Sequence, residues 1–331
     1  MEGGSLNLSG KGKIVETKPN YGAIMLKGSD NSNDKDYSTV SVGKDVTLEG
    51  WSGIFINHKD NTAYGVLVNM NGTINAVDDT SGGPGAGIYV NGNIKHQNNA
   101  PIINLNDTTH ITSTGNGIYS AGYATYNIDG AYIEGSESGL GIKSGIFNIK
   151  DGSIISLGPD KTPTSGNNNG INSSGTAIQI ESNSGYSGNI ELNIQKGTIQ
   201  SKNSNVIYEY TVNNTDTKVK DINLSGGTYK SDAGKSVFAL SDSFKNTHPE
   251  FISGGSYSSD PTPYVISGYN ISKDGSLYEV VSSTISTFAN ENQNKNNSLT
   301  IFLIITSILI LGIIIYLNRI KIFNTINNIK H

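Results

Sequence analysis

Apolar residues along this chain come in short alternating runs, most of them opened by a small residue. The runs read Gly22-Ala-Ile-Met-Leu, Gly53-Ile-Phe-Ile, Gly65-Val-Leu-Val, Gly87-Ile-Tyr-Val and Gly117-Ile-Tyr. They continue as Gly141-Ile-Lys, Ala177-Ile-Gln-Ile, Val206-Ile-Tyr and Val237-Phe-Ala-Leu. A period of two over three to five residues, rich in Ile, Val and Tyr and bounded by Gly, Asn and Ser, predicts short β-strands. A second pattern follows the first in most repeats: NMNGTI from Asn69, NIDGAYI from Asn127, NIKDGSI from Asn148 and NIQKGTI from Asn193. Near the end it becomes SGGTYKSD from Ser225 and SGGSYSSD from Ser253.

Recurrence at a few tens of residues marks a solenoid, in which each unit buries its apolar face against its neighbours. The spacing predicts an all-β fold, a right-handed parallel β-helix over residues 1–281 with two or three short strands per coil. About nine coils, rising one strand spacing each, give a rod of roughly 45 Å. Loops absorb the uneven spacing, as in Gly158 to Ser173 with its GNNNG run. Asn69, Asn127, Asn148 and Asn193, placed at corresponding turns, have two readings: a hydrogen-bonded ladder, or the general abundance of Asn in this chain. Residues 249–281, broken by Pro249, Pro261 and Pro263, read as a C-terminal cap over the last strand edges. Residues 282–298 read as a flexible polar spacer.

The hydrophobic pattern changes at Leu299. From there to Leu317 the chain reads LTIFLIITSILILGIIIYL, without a charge. As a helix this stretch spans roughly 28 Å, the hydrocarbon thickness of a bilayer, and predicts a single transmembrane helix. The tail 318–331 holds Arg319, Lys321 and Lys330 and no acid. Basic flanks face the cytoplasm, so the tail is expected inside and the body outside. Three of the 23 basic residues lie in that tail, which leaves 20 against 28 acidic ones in the body, a net of −8. The body contains no arginine, and such a surface is unsuited to nucleic acid or anionic lipid. The N-terminal MEGGSLNLSGKGKIV has neither a basic nor an apolar region of a signal peptide and reads as mid-repeat, so the chain is expected to be a fragment of an exported protein, with a mis-started reading frame and a tail-anchored protein whose body lies inside as the alternatives. Absence of cysteine excludes disulfides and thiolate zinc sites.

Residues 252–269, ISGGSYSSDPTPYVISGY, resemble a segment of surface proteins from Gram-positive bacteria and their relatives. Ser253, Gly254, Gly255, Tyr257, Asp260, Tyr264, Val265, Gly268 and Tyr269 carry the resemblance. The wider body is similar to the pectin-lyase-like β-helix superfamily over about residues 5–281. The wall-sorting pentapeptide of such proteins is absent; Asn294-Lys-Asn-Asn-Ser298 stands in its place, so retention by the membrane helix is expected instead.

That superfamily includes polysaccharide lyases and hydrolases. Its lyases use a basic residue, often arginine; the body has no arginine, and nothing marks out one of its lysines as the substitute. Glycoside hydrolysis needs paired carboxylates, and the sole Asp-Asp pair, Asp78-Asp79, sits in a Gly-rich loop without a supporting basic motif. Asp30, Asp34 and Asp36 fail the EF-hand pattern, because Lys35 and Ser41 occupy the required Gly and Glu positions. They are left as a looser calcium site or, more plainly, a polar loop. His58, His96, His110 and His248 have no metal-ligand spacing and read as surface residues. Tyr89, Tyr119, Tyr132, Tyr208, Tyr229 and Tyr257 recur at strand positions, either as a platform for sugar rings or, more plainly, as packing. No catalytic, cofactor or metal residue is assigned. The expectation is a non-catalytic, membrane-anchored bacterial surface protein that binds polysaccharide or host protein, with a surface polysaccharide-degrading enzyme and a passive coat component as alternatives.

Overall fold

The structure, a computed structural model, describes residues 1–58, 63–77, 85–92, 98–163, 173–213 and 216–283. Met1–Val281 forms one compact unit and Ser282–His331 a second. Almost all of the second unit, including Leu299 to Leu317, lies outside the described residues, as do Asp78, Asp79 and His96. Among the described residues no helix is long and apolar enough to cross a membrane.

The first unit is a parallel β-solenoid with three ladders of strands. The first ladder runs from Gly4–Leu8 to Val219–Leu224, the second from Gly12–Val15 to Gly255–Tyr257, and the third from Gly22–Leu26 to Phe238–Leu240. The third is a sheet of 8 strands. The first two merge into one sheet because Thr125–Gly135 and Gly145–Ser156 run unbroken round the corner between them. In nearly every strand, alternate residues point inward. Val40, Val68, Ile103, Tyr126, Phe147 and Leu192 stack along one interior column of the first ladder, and each is fully buried. Ile74, Ile111, Ile133, Ile154 and Ile199 form the matching column of the second. Each coil thus removes a layer of branched side chains from water at about 1.5–3 kcal/mol per side chain, and parallel strands on each face satisfy one another's backbone groups.

The small residue that opens each apolar run has a steric cause. Gly53, Gly87, Gly117 and Gly139 form one column of the third ladder. A Cβ at Gly87 would stand 2.2 Å from Ile111 Cγ2, and one at Gly53 2.3 Å from Ile74 Cγ2. The isoleucines of the second ladder pack directly onto bare backbone of the third. Three of the repeats fall differently from the sequence pattern. Gly22 stands opposite Ser52, one position before the column, Gly65 opens a strand of the first ladder, not the third, and Gly139 rather than Gly141 holds the column position.

The asparagines do form a ladder, in the strands of the first face rather than at turns. Asn104 Nδ2 donates to Asn69 Oδ1 at 2.8 Å, Asn127 to Asn104 at 2.9 Å, Asn148 to Asn127 at 3.1 Å, Asn193 to Asn148 at 3.1 Å and Asn223 to Asn193 at 3.0 Å. Asn104 and Asn223 extend the four positions that the sequence pattern marks. A second polar column turns the corner from the second to the third ladder. Ser113, Ser156, Ser201 and Ser231 are buried there and donate to carbonyls of the turns, as Ser156 Oγ does to Glu137 O and Gly175 O, both at 2.8 Å.

Past the last full coil, the chain folds a short helix, Asp242–Thr247, capped by Ser241 and buried through Phe244. Leu277–Ser282 then pairs antiparallel with Gly255–Tyr257 and covers the last edge of the second ladder. Phe238, Phe244, Phe251 and Tyr264 pack edge to face over the end of the core.

Candidate functional site

The corner between the first and second ladders is an open furrow of about 580 Å³. Its floor is the backbone of Gly130, Gly152, Gly197, Gly227 and Gly255. These glycines make the corner turn with positive φ, +136° at Gly152 and +109° at Gly197, where a side chain would also strike the carbonyl of the coil before it. The glycines of the NIDG, NIKDG and NIQKG motifs and the second glycines of the two SGG motifs are therefore the sequence signature of this floor. The rim is set by register: Ser153, Thr198, Thr228 and Ser256 stand on successive rungs of the second ladder, all half-buried and directed outward. Their hydroxyls recur at about 4.8 Å, the strand spacing.

The same outward column continues through two aromatic rings. Tyr132 pairs with Ser153 on the next rung, and His110 with Tyr132. Their rings stack 4.5 Å apart and 6° from parallel. Tyr132 Oη donates to Glu134 Oε2 at 2.5 Å. Burial first, and then the Glu134 carboxylate, push the phenol up to about 12. Asp151, the carboxylate lining the furrow, is paired with Lys196 at 2.7 Å and accepts from the Gly152 N–H at 2.8 Å, and these bonds hold it below the usual carboxylate range. The furrow thus presents hydroxyls and a neutralised ion pair, and the stacked rings of Tyr132 and His110 continue its outward column along the solenoid axis.

The other sequence candidates are scattered. Asp34 is taken up by Ser29 and by Asn31 Nδ2 at 3.3 Å within its own turn, and among the described residues no three ligating carboxylates or imidazoles converge with Asp30 or Asp36. His248 ends the short helix and stacks on Phe244. His58 closes a strand of the third ladder. Tyr229 and Tyr257 point into the core and stack 4.7 Å apart. Tyr89 and Tyr119 face outward from the third ladder, yet they are buried in a separate cluster with Trp51 and Phe55. Tyr208 is half-buried beside Tyr210. Of the six tyrosines, then, only Tyr132 stands on the outward column that runs into the furrow, and alternation along a strand could not single it out.

The buried polar groups of the third ladder were not visible in the sequence. Glu209 points inward and accepts from Ser182 Oγ at 2.8 Å, Thr217 Oγ1 at 2.8 Å and Ser241 Oγ at 2.5 Å. Nearby, Lys143 and Glu181 form a buried ion pair at 3.1 Å. Lys218 Nζ donates to Tyr186 O at 2.6 Å and Lys143 O at 3.2 Å, and burial brings its ammonium down to about 8. No protein-family model, curated protein or solved structure matches the chain.

Proposed function

We infer that this chain is a bacterial cell-surface protein whose β-solenoid binds an extended glycan along the glycine-floored furrow without cleaving it. The observation that carries the reading is the continuous outward column from the His110–Tyr132 ring stack through Ser153, Thr198, Thr228 and Ser256. Ring faces stack on the apolar faces of sugars, and hydroxyls at a regular repeat match the hydroxyls of a polymer laid along the axis. The lining carboxylate is occupied by Lys196, which favours binding over acid–base chemistry. In this reading the coils wind right-handed, as parallel crossovers do, and the body belongs to the pectin-lyase-like class. Leu299 to Leu317 holds it at the membrane with the tail inside.

The test is affinity electrophoresis of the full chain in detergent against plant, host and bacterial polysaccharides, with size analysis of the polymer afterwards. Retardation by at least one polymer of unchanged length is expected. Tyr132→Ala should weaken it roughly 2- to 10-fold, the worth of one ring contact. Shortened polymer would establish the degrading enzyme instead. No retardation by any of them would end the glycan reading. Protease shaving of intact cells checks the topology, since a body left untouched is not outside.

A further inference from the structure

Each coil turns the corner at the furrow through a glycine with positive φ, and the residue before that glycine sits on the same corner. In successive coils this residue is Asp129, Asp151, Lys196, Gly226 and Gly254. Charge is therefore confined to one half of the corner. Strand register sets Asp129 beside Asp151 on the next rung. Each carboxylate is met by a lysine from the coil that follows. Lys150 Nζ lies 2.6 Å from Asp129 Oδ2, and Lys196 Nζ lies 2.7 Å from Asp151 Oδ2. The other oxygen of Asp151 accepts from the Gly152 N–H at 2.8 Å.

A backbone N–H in a positive-φ turn and a lysine ammonium are donors from which proteins build anion sites. Asp151 fills both. The chain's own carboxylate thus stands where the carboxylate of an acidic polymer would bind, and the same two bonds keep it ionised. The ends of the hydroxyl column carry charge of the same sign. Glu134 accepts from Tyr132 Oη at 2.5 Å, and Glu279 accepts from Ser256 Oγ at 3.3 Å. Among the described residues neither of these carboxylates is paired with a cation. Between them Ser153, Thr198 and Thr228 offer only uncharged hydroxyls to the furrow.

We propose that the furrow selects an uncharged polysaccharide and rejects acidic ones, with Asp151 as the residue that sets the choice. The proposal rests on the glycan reading above and narrows it to one substrate class. A polyanion meets repulsion from Glu134 and Glu279, which reaches about 10 Å at 0.1 M salt. It also finds its matching pair of donors taken. A neutral polymer suffers neither loss and keeps the ring stack and the hydroxyls.

Affinity electrophoresis of the full chain in neutral detergent tests this with polymers matched in backbone. Polygalacturonate, alginate and hyaluronan are each used intact and with their carboxylates reduced to alcohols, beside neutral galactan, xylan and dextran. At least one uncharged polymer should retard the chain at roughly tenfold lower concentration than any intact acidic one, a difference of one decade in apparent Kd. Asp151→Ala vacates the Gly152 N–H and frees Lys196. It should strengthen retardation by an intact acidic polymer roughly 2- to 5-fold, the worth of one exposed charge pair, and added salt should erase the gain. Lys196→Gln placed in the Asp151→Ala chain should also abolish it. An intact acidic polymer that binds the wild-type chain more tightly than its reduced form would overturn the proposal and leave the glycan reading standing. Retardation by none of the polymers would end both. A folded Asp151→Ala chain that gains nothing toward acidic polymers would remove Asp151 from the choice and overturn the proposal. The comparison of intact and reduced polymers on the wild-type chain decides even where a variant fails to fold.

Discussion

A methyl group has no room at Gly87. It would stand 2.2 Å from Ile111 Cγ2 and 2.5 Å from the Gly117 carbonyl oxygen, and the second neighbour is backbone of the next rung. Relaxation must move either an isoleucine locked in the interior column or the strand ladder itself. Gly87→Ala is therefore expected to cost about 1–3 kcal/mol, the usual penalty of overpacking. Gly12, also a strand glycine, has open space where its Cβ would go, and Gly12→Ala should stay within about 0.5 kcal/mol of wild type. Urea midpoints of the two variants check the pair; equal midpoints would mean the close approach is not maintained in solution. The small residue at each strand start is legible in the sequence, but its reason is not. The isoleucine it meets lies on another ladder, and only the winding of the coil brings the two together.

At the scale of the element, the asparagine ladder shows what register adds to pattern. Its members are separated by as few as 21 and as many as 45 residues, yet each meets the next. Four of them open the Asn-to-Gly motifs that end in Ile. Asn104 has no following glycine, and Asn223 leads into an SGG motif instead, so neither is marked by that pattern in a chain rich in Asn. What aligns them is the hydrogen-bonded pairing of the strands, which keeps identical side chains on one outward column while loops take up the length differences. Asn127→Ala deletes two side-chain hydrogen bonds and strands the Asn104 carbonyl and the Asn148 amide. Because the ladder is half-buried, the expected loss is about 1–2 kcal/mol. Asn223→Ala, at the exposed end, deletes one bond and should cost no more than half as much. Asn127→Ala combined with Asn148→Ala should cost less than the two separate losses added together, because they share a bond. Additive losses in thermal or urea unfolding would show the side chains to be solvated independently.

For the molecule as a whole, strand content and the parallel solenoid were readable because period-two runs bounded by glycine leave few alternatives. The furrow was not. It is built from Ser, Thr and Gly, which carry no chemical signal until register stacks them, and the strand period leaves open which face each tyrosine takes. That last point has a consequence in alkali. Burial holds the phenols of Tyr89, Tyr119, Tyr126, Tyr229 and Tyr257 well above their ordinary range. In the unfolded chain they ionise near pH 10. A folded state that keeps its protons where the unfolded state loses them is stable below that point and loses stability as pH rises past it, by up to about 1.4 kcal/mol per unit for each such phenol. Lys218 acts in the opposite sense over a lower window. Its folded value is about 8, below the ordinary lysine value, so the folded state sheds a proton first and gains stability between about pH 8 and 10. The two effects together predict a shallow maximum near pH 10 followed by steep cooperative unfolding, with tyrosinate absorbance rising in the same step as the loss of the strand circular dichroism. Lys218→Gln should remove the rise and leave the fall in place. Tyrosinate absorbance that develops gradually while the strand signal persists would mean that the buried phenols are reached by solvent without unfolding, and that the solenoid opens locally along its core.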